Sequence, residues 1–330
     1  MIASDEAMID KPKILVTAPI HEQVRSRLEA IGELEMNTAT EPWCRDELLR
    51  RAADATAMMG FMPDKVDKDF LRAAPRLRLV ACALKGYDNY DIDACKEAGV
   101  CVSIVPDLLT APTAELAIGL AIGLGRHLLH ADQYVRSGAF AGWRPHFYGA
   151  GLHGSVAAIL GVGEVGAAIA ERLRGFGCAC IYGVDPVGRS AGTIPATLDE
   201  AMSKADFMFA AAPLTAATRH LIGRRQISLA KSGQLLINVG RGSVIDEAAV
   251  ATALAQGRLG GYAADVFECE DWGLPDRPPT ISPALLSHPR TLFTPHLGSA
   301  VSSVRLAIEQ RAADNILAYF QGDPPPDAIN

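Results

Sequence analysis

Residues 155–177 read SVAAILGVGEVGAAIAERLRGFG. The apolar run from Ser155 to Leu160 has the length and composition of a buried strand, and a helical pattern from Val165 to Phe176 closes at Gly177. Between them stand Gly161, Gly163 and Gly166. A G-x-G-x-x-G alone is weak evidence, but directly after a strand and opening a helix it signals a dinucleotide site. The first glycine permits the tight turn, the second lets a pyrophosphate approach the backbone, and the third lets helix pack on strand. The helix start then offers free N–H groups and partial positive charge to the phosphates. The alternative is an ordinary strand-to-helix turn that is merely rich in glycine.

In CIYGVDP, 180–186, the next strand ends at Asp185, the natural acceptor for adenosine ribose hydroxyls. A carboxylate there repels a 2′-phosphate and favours NAD over NADP. Asp185 lies 19 positions after Gly166, one more than the simplest alignment, which leaves Val184 at the acidic position. In that register Arg189 reaches a 2′-phosphate and NADP serves as a secondary cofactor. Both registers stay open at this point.

Further strand candidates follow at Phe207 to Ala211, Gln234 to Asn238, Gly261 to Val266 and Thr291 to Thr294, alternating with helical patterns. Before residue 110 the same alternation appears, in Lys13 to Ala18, a helix from His21 to Gly32, Ala57 to Met62, and Leu77 to Leu84. The reading is an α/β chain of two Rossmann-like, doubly wound parallel-sheet domains with a cleft between them. Residues 1–110 with 298–330 are assigned to a discontinuous substrate-binding domain, because the helix Ser302 to Gln321 packs best by returning to the first sheet. Residues 111–297 are assigned to the NAD-binding domain. The proline-rich end, GDPPPDAIN, reads as a surface tail.

At 330 residues, 49% hydrophobic and 21% charged, the chain has the balance of a globular protein with room for two cores. A net charge of −7 disfavours nucleic acid or anionic membranes as partners and makes any anion site local. The stretch from Ala114 to Leu129, interrupted by Glu115 and Arg126, is too short to span a bilayer and reads as one buried helix. The start, MIASDEAMIDKPK, lacks a signal layout, so a cytoplasmic protein is expected. Seven cysteines without C-x-x-C spacing or paired histidines read as reduced packing residues, with no metal site.

Three segments at the carboxyl ends of candidate strands carry the chemistry: NVGRGSVIDE (238–247), ADVFECE (264–270) and TPHLGSA (294–300). Arg241 offers a permanently cationic fork for an anion. His296 titrates near neutrality and can take or give a proton, and Glu270 can orient its ring and stabilise the cation. Singly, a surface arginine, a capping glutamate and a loop histidine are the simpler accounts. Together, after a dinucleotide motif, they read as catalytic.

These segments resemble the D-2-hydroxyacid dehydrogenase superfamily, whose members set an arginine beside a Glu-His pair on two Rossmann-like domains. Formate dehydrogenases are similar in fold but lack the glutamate. Within the superfamily the chain resembles phosphite (phosphonate) dehydrogenases. The carriers are Lys85 in ACALKGYDNYDID (81–93), MMGFMPD (58–64), VPDLLTAPTAELAIGL (105–120), DVFECEDW (265–272) and HLGSAVSSVR (296–305). Phosphite is largely a dianion near neutrality, so a second cation, Lys85, beside Arg241 is useful to it, with Arg305 adding outer charge. The resemblance implies NAD-dependent oxidation of phosphite to phosphate, a water deprotonated by His296 attacking phosphorus while hydride passes to the nicotinamide in a closed, water-poor cleft.

The resemblance further implies substrate contacts at Lys85, Gly86, Met62, Leu109, Trp143, Tyr148, Arg241 and Arg305. Cofactor contacts carry over to Lys85, Thr113, Glu164, Val165, Pro213, Val239, Gly240, Arg241, Asp265, His296 and Ser299. The segment from Thr113 to Gly154 resembles a dimerisation arm, so a homodimer is expected. The competing readings are a D-2-hydroxy acid dehydrogenase using the same residues on a 2-oxo acid, and a non-enzymatic NAD-sensing corepressor-like protein.

Overall fold

The computed structural model describes residues 11–330; the N-terminal stretch read for a targeting signal lies largely outside the described residues. These residues divide into two compact units, 11–108 with 302–330, and 109–301.

Unit 1 runs β1 (Lys13–Val16), α1 (Glu22–Glu29), β2 (Glu33–Met36), α2 (Arg45–Ala52), β3 (Ala57–Gly60), α3 (Lys68–Ala73), β4 (Leu79–Cys82), α4 (Ile92–Glu97) and β5 (Cys101–Ser103). Its five strands are parallel in the order β2-β1-β3-β4-β5. β3 and β4 are buried along their whole length, as apolar runs flanked by helices should be. Asp67 and Asp91 start α3 and α4 by accepting the Phe70 and Ala94 N–H groups.

Unit 2 begins with α5 (Thr110–Gly125) and α6 (Leu128–Arg136). It continues with β6 (Val156–Leu160), α7 (Glu164–Gly175), β7 (Cys180–Val184), β8 (Ile194–Pro195), α8 (Leu198–Lys204), β9 (Phe207–Ala210) and α9 (Arg224–Ser228). β10 (Leu235–Asn238), α10 (Glu247–Ala255), β11 (Gly261–Ala264), α11 (Pro283–Leu286) and β12 (Thr291–Phe293) complete it. The seven strands form one parallel sheet, β12-β11-β10-β9-β6-β7-β8. Alternation divides the core between its two faces. Phe207, Phe209, Leu235 and Ile237 pack with α5 and α7, while Met208, Ala210, Leu236 and Tyr262 pack with α8, α9 and α10.

The single helix expected over 114–129 is two. Gly125 gives its carbonyl to Ala150 N–H at 2.9 Å, and a Cβ on Gly125 would meet Ala150 O at 2.8 Å. The chain then turns through His127 in the left-handed region, φ 57°. Leu128 and Leu129, expected to be buried, are about half exposed, and α6 buries none of its residues.

α12 (Ser302–Gln321) belongs to unit 1 and buries Ile308, Ala312, Ala313 and Ile316. Glu309 on its inner face accepts from His21 N–H at 2.8 Å. The expected surface tail is instead docked. Asp327 takes the Arg311 guanidinium through two contacts of 2.6 and 2.7 Å, Ala328 bridges Ser103 antiparallel, and Asn330 accepts from Val102 N–H at 2.8 Å. The free edge of β5 supplies the reason: its unpaired backbone groups need partners, and the four residues after the prolines provide them.

All seven cysteines are free thiols. Cys82 and Cys95 are buried in packing positions, but Cys44 is exposed. Among the described residues no helix is long and apolar enough to cross a membrane.

Candidate active site

In a parallel sheet every strand ends on the same edge, so the turns after β6, β7, β9, β10, β11 and β12 gather there. The turn after β6 shows what each glycine does. Gly161 is left-handed at φ 88°, and a Cβ there would lie 2.8 Å from the Ala212 backbone. At Gly166 a Cβ would sit 2.0 Å from Gly161 O, the close approach of helix to strand. Gly163 is different. It starts α7 in extended backbone with no side-chain cap, and the nearest neighbour of a Cβ built there is Arg189 Nη1 at 4.0 Å. The protein's own packing therefore gives no reason for glycine at 163, whereas a pyrophosphate seated on the α7 N–H groups does. The residues present fit a dinucleotide.

Glu164 and Val165 form the first turn of α7, Glu164 accepting from Thr110 Oγ1 at 3.2 Å and Val165 packing on the core. Asp185 directly follows β7, whose last residue Val184 pairs with Leu160. Its carboxylate accepts Val162 N–H at 3.1 Å and Val187 N–H at 3.0 Å, with the Arg189 guanidinium 3.8 Å away. Asp185 thus braces the glycine turn. Pro213 is exposed after β9, its carbonyl taking the Thr218 hydroxyl at 2.7 Å. Val239 is buried after β10, and a Cβ on Gly240 would meet Ala212 O at 2.7 Å.

The turn carrying Arg241 is set by Asn238, whose Oδ1 accepts from Gly240 N–H at 3.2 Å and whose amide donates to Arg241 O at 3.0 Å. Arg241 itself donates to Gly240 O at 3.0 Å. Glu270 lies in a 3-10 turn, Glu268–Glu270, and His296 follows β12. The structure brings these two together, Glu270 Oε2 standing 2.9 Å from His296 Nδ1. The other glutamate oxygen accepts Phe267 N–H at 2.8 Å, which fixes the carboxylate. His296 occupies the left-handed region at φ 54°, a strained backbone for a non-glycine residue that its surroundings must hold.

Asp265 holds it. Only 1% exposed, its Oδ1 accepts from Thr294 Oγ1 and Leu297 N–H, both at 2.6 Å, and its Oδ2 from Gly298 N–H at 2.8 Å. The Asp265 carbonyl also accepts His296 N–H at 2.9 Å. Burial pushes the Asp265 carboxyl above its ordinary pKa, against the pull of these donors. Sequence reading placed Asp265 among cofactor contacts and missed this positioning role. Its place five residues before Glu270 was the available signal. Thr113, on α5, adjoins the same turn, since a Cβ on Gly298 would meet its hydroxyl at 3.0 Å, and Ser299 follows within it.

In unit 1, Lys85 and Gly86 lie half-buried after β4, and Met62 after β3. Asn89 ties the two loops, donating to Met62 O at 3.1 Å and to Asp64 O. Asp64 is buried, accepts Phe61 N–H at 2.7 Å and the Thr17 hydroxyl at 2.5 Å, and is pushed by burial to a pKa of about 6. Arg305, on α12, sets its guanidinium 5.8 Å from the Phe61 ring centre, and burial lowers its pKa from the usual value. Leu109, half-buried, precedes α5 in unit 2. Trp143 and Tyr148, on the same unit, are 82% and 75% exposed.

Residues 118–298 match the family of D-isomer specific 2-hydroxyacid dehydrogenase, NAD binding domain. A glyoxylate reductase of Thermococcus litoralis is 33% identical over 329 residues, covering 97% of each chain. That of Aeropyrum pernix is 32% identical, covering 97% of this chain and 96% of the relative. Among solved structures, a putative D-isomer specific 2-hydroxyacid dehydrogenase, NAD-binding, from Polaromonas superposes with a TM-score of 0.87 at 29% identity, covering 97% and 99% of the two chains. An NADPH-dependent glyoxylate/hydroxypyruvate reductase of Sinorhizobium meliloti, in complex with NADP and malonate, gives 0.82 at 30% identity, with 97% of each chain covered.

Proposed function

The chain belongs to the D-isomer specific 2-hydroxyacid dehydrogenases as an NAD-binding oxidoreductase, and on that premise we propose that it interconverts a small 2-oxo acid and its 2-hydroxy acid, glyoxylate first among them. Relatives named glyoxylate reductase across nearly the whole chain support this substrate class. The observation that carries the reading is the 2.9 Å contact between Glu270 Oε2 and His296 Nδ1. With Nδ1 engaged, Nε2 is the ring nitrogen that exchanges a proton with substrate.

In the reducing direction His296 gives the Nε2 proton to the keto oxygen while C2 becomes a carbinol carbon, and Glu270 stabilises the imidazolium beforehand. The guanidinium of Arg241 binds the substrate's anionic oxygens. A bound reduced nicotinamide supplies the hydride. Asp185 favours NAD by its charge, and Arg189, 3.8 Å from it, is the group suited to the 2′-phosphate of NADP as the secondary cofactor.

A second reading, oxidation of phosphite to phosphate, is favoured by one feature, Lys85 in the loop after β4. A lysine there adds the charge a dianion needs and a monoanionic hydroxy acid does not. In that reaction Lys85 and Arg241 would hold the phosphite oxygens and His296 would take the proton of a water adding to phosphorus, while an oxidised nicotinamide, when bound, would supply the hydride acceptor.

Purified protein is mixed with glyoxylate and NADH or NADPH, and separately with phosphite and NAD or NADP, and nicotinamide absorbance is followed. Glyoxylate-dependent oxidation of NADH supports the first reading. Turnover confined to the phosphite arm replaces it with the second, and Lys85→Ala then abolishes that turnover while cofactor binding persists. We also propose a homodimer through residues 113–154, where Leu128, Leu129, Val135, Phe140, Trp143 and Tyr148 leave apolar surface exposed. Light scattering that returns a monomer at micromolar concentration overturns that assignment.

A further inference from the structure

The turn bearing Arg241 and the turn bearing Glu270 are stapled together by groups that take no part in the chemistry proposed above. A Cβ on Gly242 would fall 1.9 Å from the Phe267 carbonyl carbon, so the two backbones are in direct contact. Ser243 N–H donates to Asp271 Oδ2 at 2.6 Å. Glu247, the first residue of α10, and Glu268 exchange bonds: Glu268 N–H donates to Glu247 Oε1 at 3.0 Å, and Glu247 N–H donates to Glu268 Oε1 at 2.8 Å. The second Glu268 oxygen lies 3.2 Å from His220 Nε2. His220, left-handed at φ 50°, returns to the first turn by donating its N–H to Ser243 O at 2.6 Å.

We infer that Glu247 is a positioning residue, the clasp that holds Glu270, and through it the His296 imidazole, in register with the Arg241 turn. The inference rests on the reading of Glu270 and His296 as the acid–base pair. Charge explains why Glu247 does more than fasten two loops. Glu247, Glu268, Glu270 and Asp271 crowd one region, and like charges in a buried site do not all ionise. Glu247, 4% exposed, is the one that desolvation and these neighbours push up, to a pKa of about 7.

Around it stand Glu268, Cys269, Glu270 and Asp271 from the 3-10 turn and its end, and the buried Tyr262 phenol from β11. Arg219 and His220 face Glu268 from the 218–222 loop, and Arg277 adjoins Cys269, donating to its carbonyl. Below pH 7 Glu247 is a neutral acceptor for Glu268 N–H. Above it, the clasp adds a negative charge close to Glu270, one member of the acid–base pair, and opposes Glu268 across the exchanged pair.

The test compares Glu247→Gln, Glu247→Ala and His296→Asn with the wild-type protein, each as the full chain, in glyoxylate reduction with NADH from pH 5.5 to 9 (phosphite oxidation with NAD if only that arm turns over). Cofactor affinity is measured by fluorescence titration. Glutamine keeps the acceptor oxygen without the titration. It is expected to retain kcat within about twofold at pH 6 and to move the inflection of the pH–rate profile down by about half a pH unit. Alanine removes the clasp and is expected to lower kcat about tenfold or more with cofactor Kd unchanged. An unshifted inflection in Glu247→Gln overturns the inference even if the alanine variant does not fold, and so does an alanine variant with wild-type kcat and profile. His296→Asn separates the two levels: its loss of turnover beside unaffected Glu247 variants leaves the acid–base reading standing, whereas full turnover in His296→Asn overturns that reading and the clasp with it.

Discussion

Glu270 holds the His296 ring from one side, with Oε2 2.9 Å from Nδ1, while its other oxygen is occupied by Phe267 N–H at 2.8 Å. A carboxylate committed through both oxygens has one orientation, and that orientation selects the tautomer protonated on Nδ1, leaving Nε2 to exchange a proton with substrate.

Glu270→Gln should therefore cost rate rather than cofactor binding. An amide can accept from one N–H through its oxygen, but it cannot both accept from Phe267 N–H and compensate an imidazolium charge. A fall in kcat of about 10²-fold with NADH affinity unchanged is expected, within the usual range for losing one acid–base element. Single-turnover reduction of glyoxylate measures it, and an unaffected kcat would remove Glu270 from the mechanism.

Asp265 is the reason His296 can occupy a left-handed backbone. Its two oxygens serve three donors, Thr294 Oγ1, Leu297 N–H and Gly298 N–H, and asparagine offers only one oxygen to them. Asp265→Asn should leave at least one buried N–H facing a donor, destabilising the fold by about 1–3 kcal/mol and loosening the dyad. Chemical denaturation and kcat are expected to fall together. A variant that loses stability alone would separate the turn from the chemistry.

Asp64 predicts a pH dependence of stability with a definite sign. Its folded pKa of about 6 lies above the ordinary 3.8, so the folded state binds a proton that the unfolded chain has released over that interval. This group's contribution is fully present below pH 3.8 and is lost as pH rises through 6, by an amount on the order of 2–3 kcal/mol. In Asp64→Asn the Oδ1 atom can still accept from Phe61 N–H and Thr17, and the pH-dependent part disappears. Denaturation midpoints of the two proteins from pH 4 to 7 should diverge at first and then become parallel. Parallel curves throughout would show that Asp64 is ionised in the fold.

The buried strands β1, β3, β4, β6, β9, β10 and β11 and the glycine turn were legible in the sequence because buried parallel strands read as continuous apolar runs, and because G-x-G-x-x-G is constrained locally; the short strands β2, β5 and β8, which lack such a run, were not read. Arg241, Glu270 and His296 were legible as residue types at strand ends, and the structure adds the contact between the last two. What escaped was decided by partners distant in sequence. Whether Gly125 continues a helix depends on Ala150. Whether the last residues form a loose tail depends on the open edge of β5, and Asp265 reveals its turn only when 294–298 is folded against it. Nothing in 238–247 announces that Glu268 will exchange hydrogen bonds with Glu247.

The three glycines of the turn after β6 provide the sharpest separation of folding from binding. At Gly166 a Cβ would meet Gly161 O at 2.0 Å, so Gly166→Ala should destabilise the protein outright. Gly163 has φ −74° and ψ −161°, extended backbone open to any residue, and the nearest atom to an added Cβ is 4.0 Å away on a flexible arginine. Gly163→Ala should therefore fold with an unchanged melting temperature in the absence of cofactor. If the pyrophosphate sits against that backbone, the same methyl group stands between it and the N–H groups of α7, and NAD affinity should fall about tenfold or more. The stabilisation by saturating NAD seen for the wild-type protein should shrink to match. Undiminished NAD affinity in a normally folded Gly163→Ala would place the phosphates away from the α7 N-terminus.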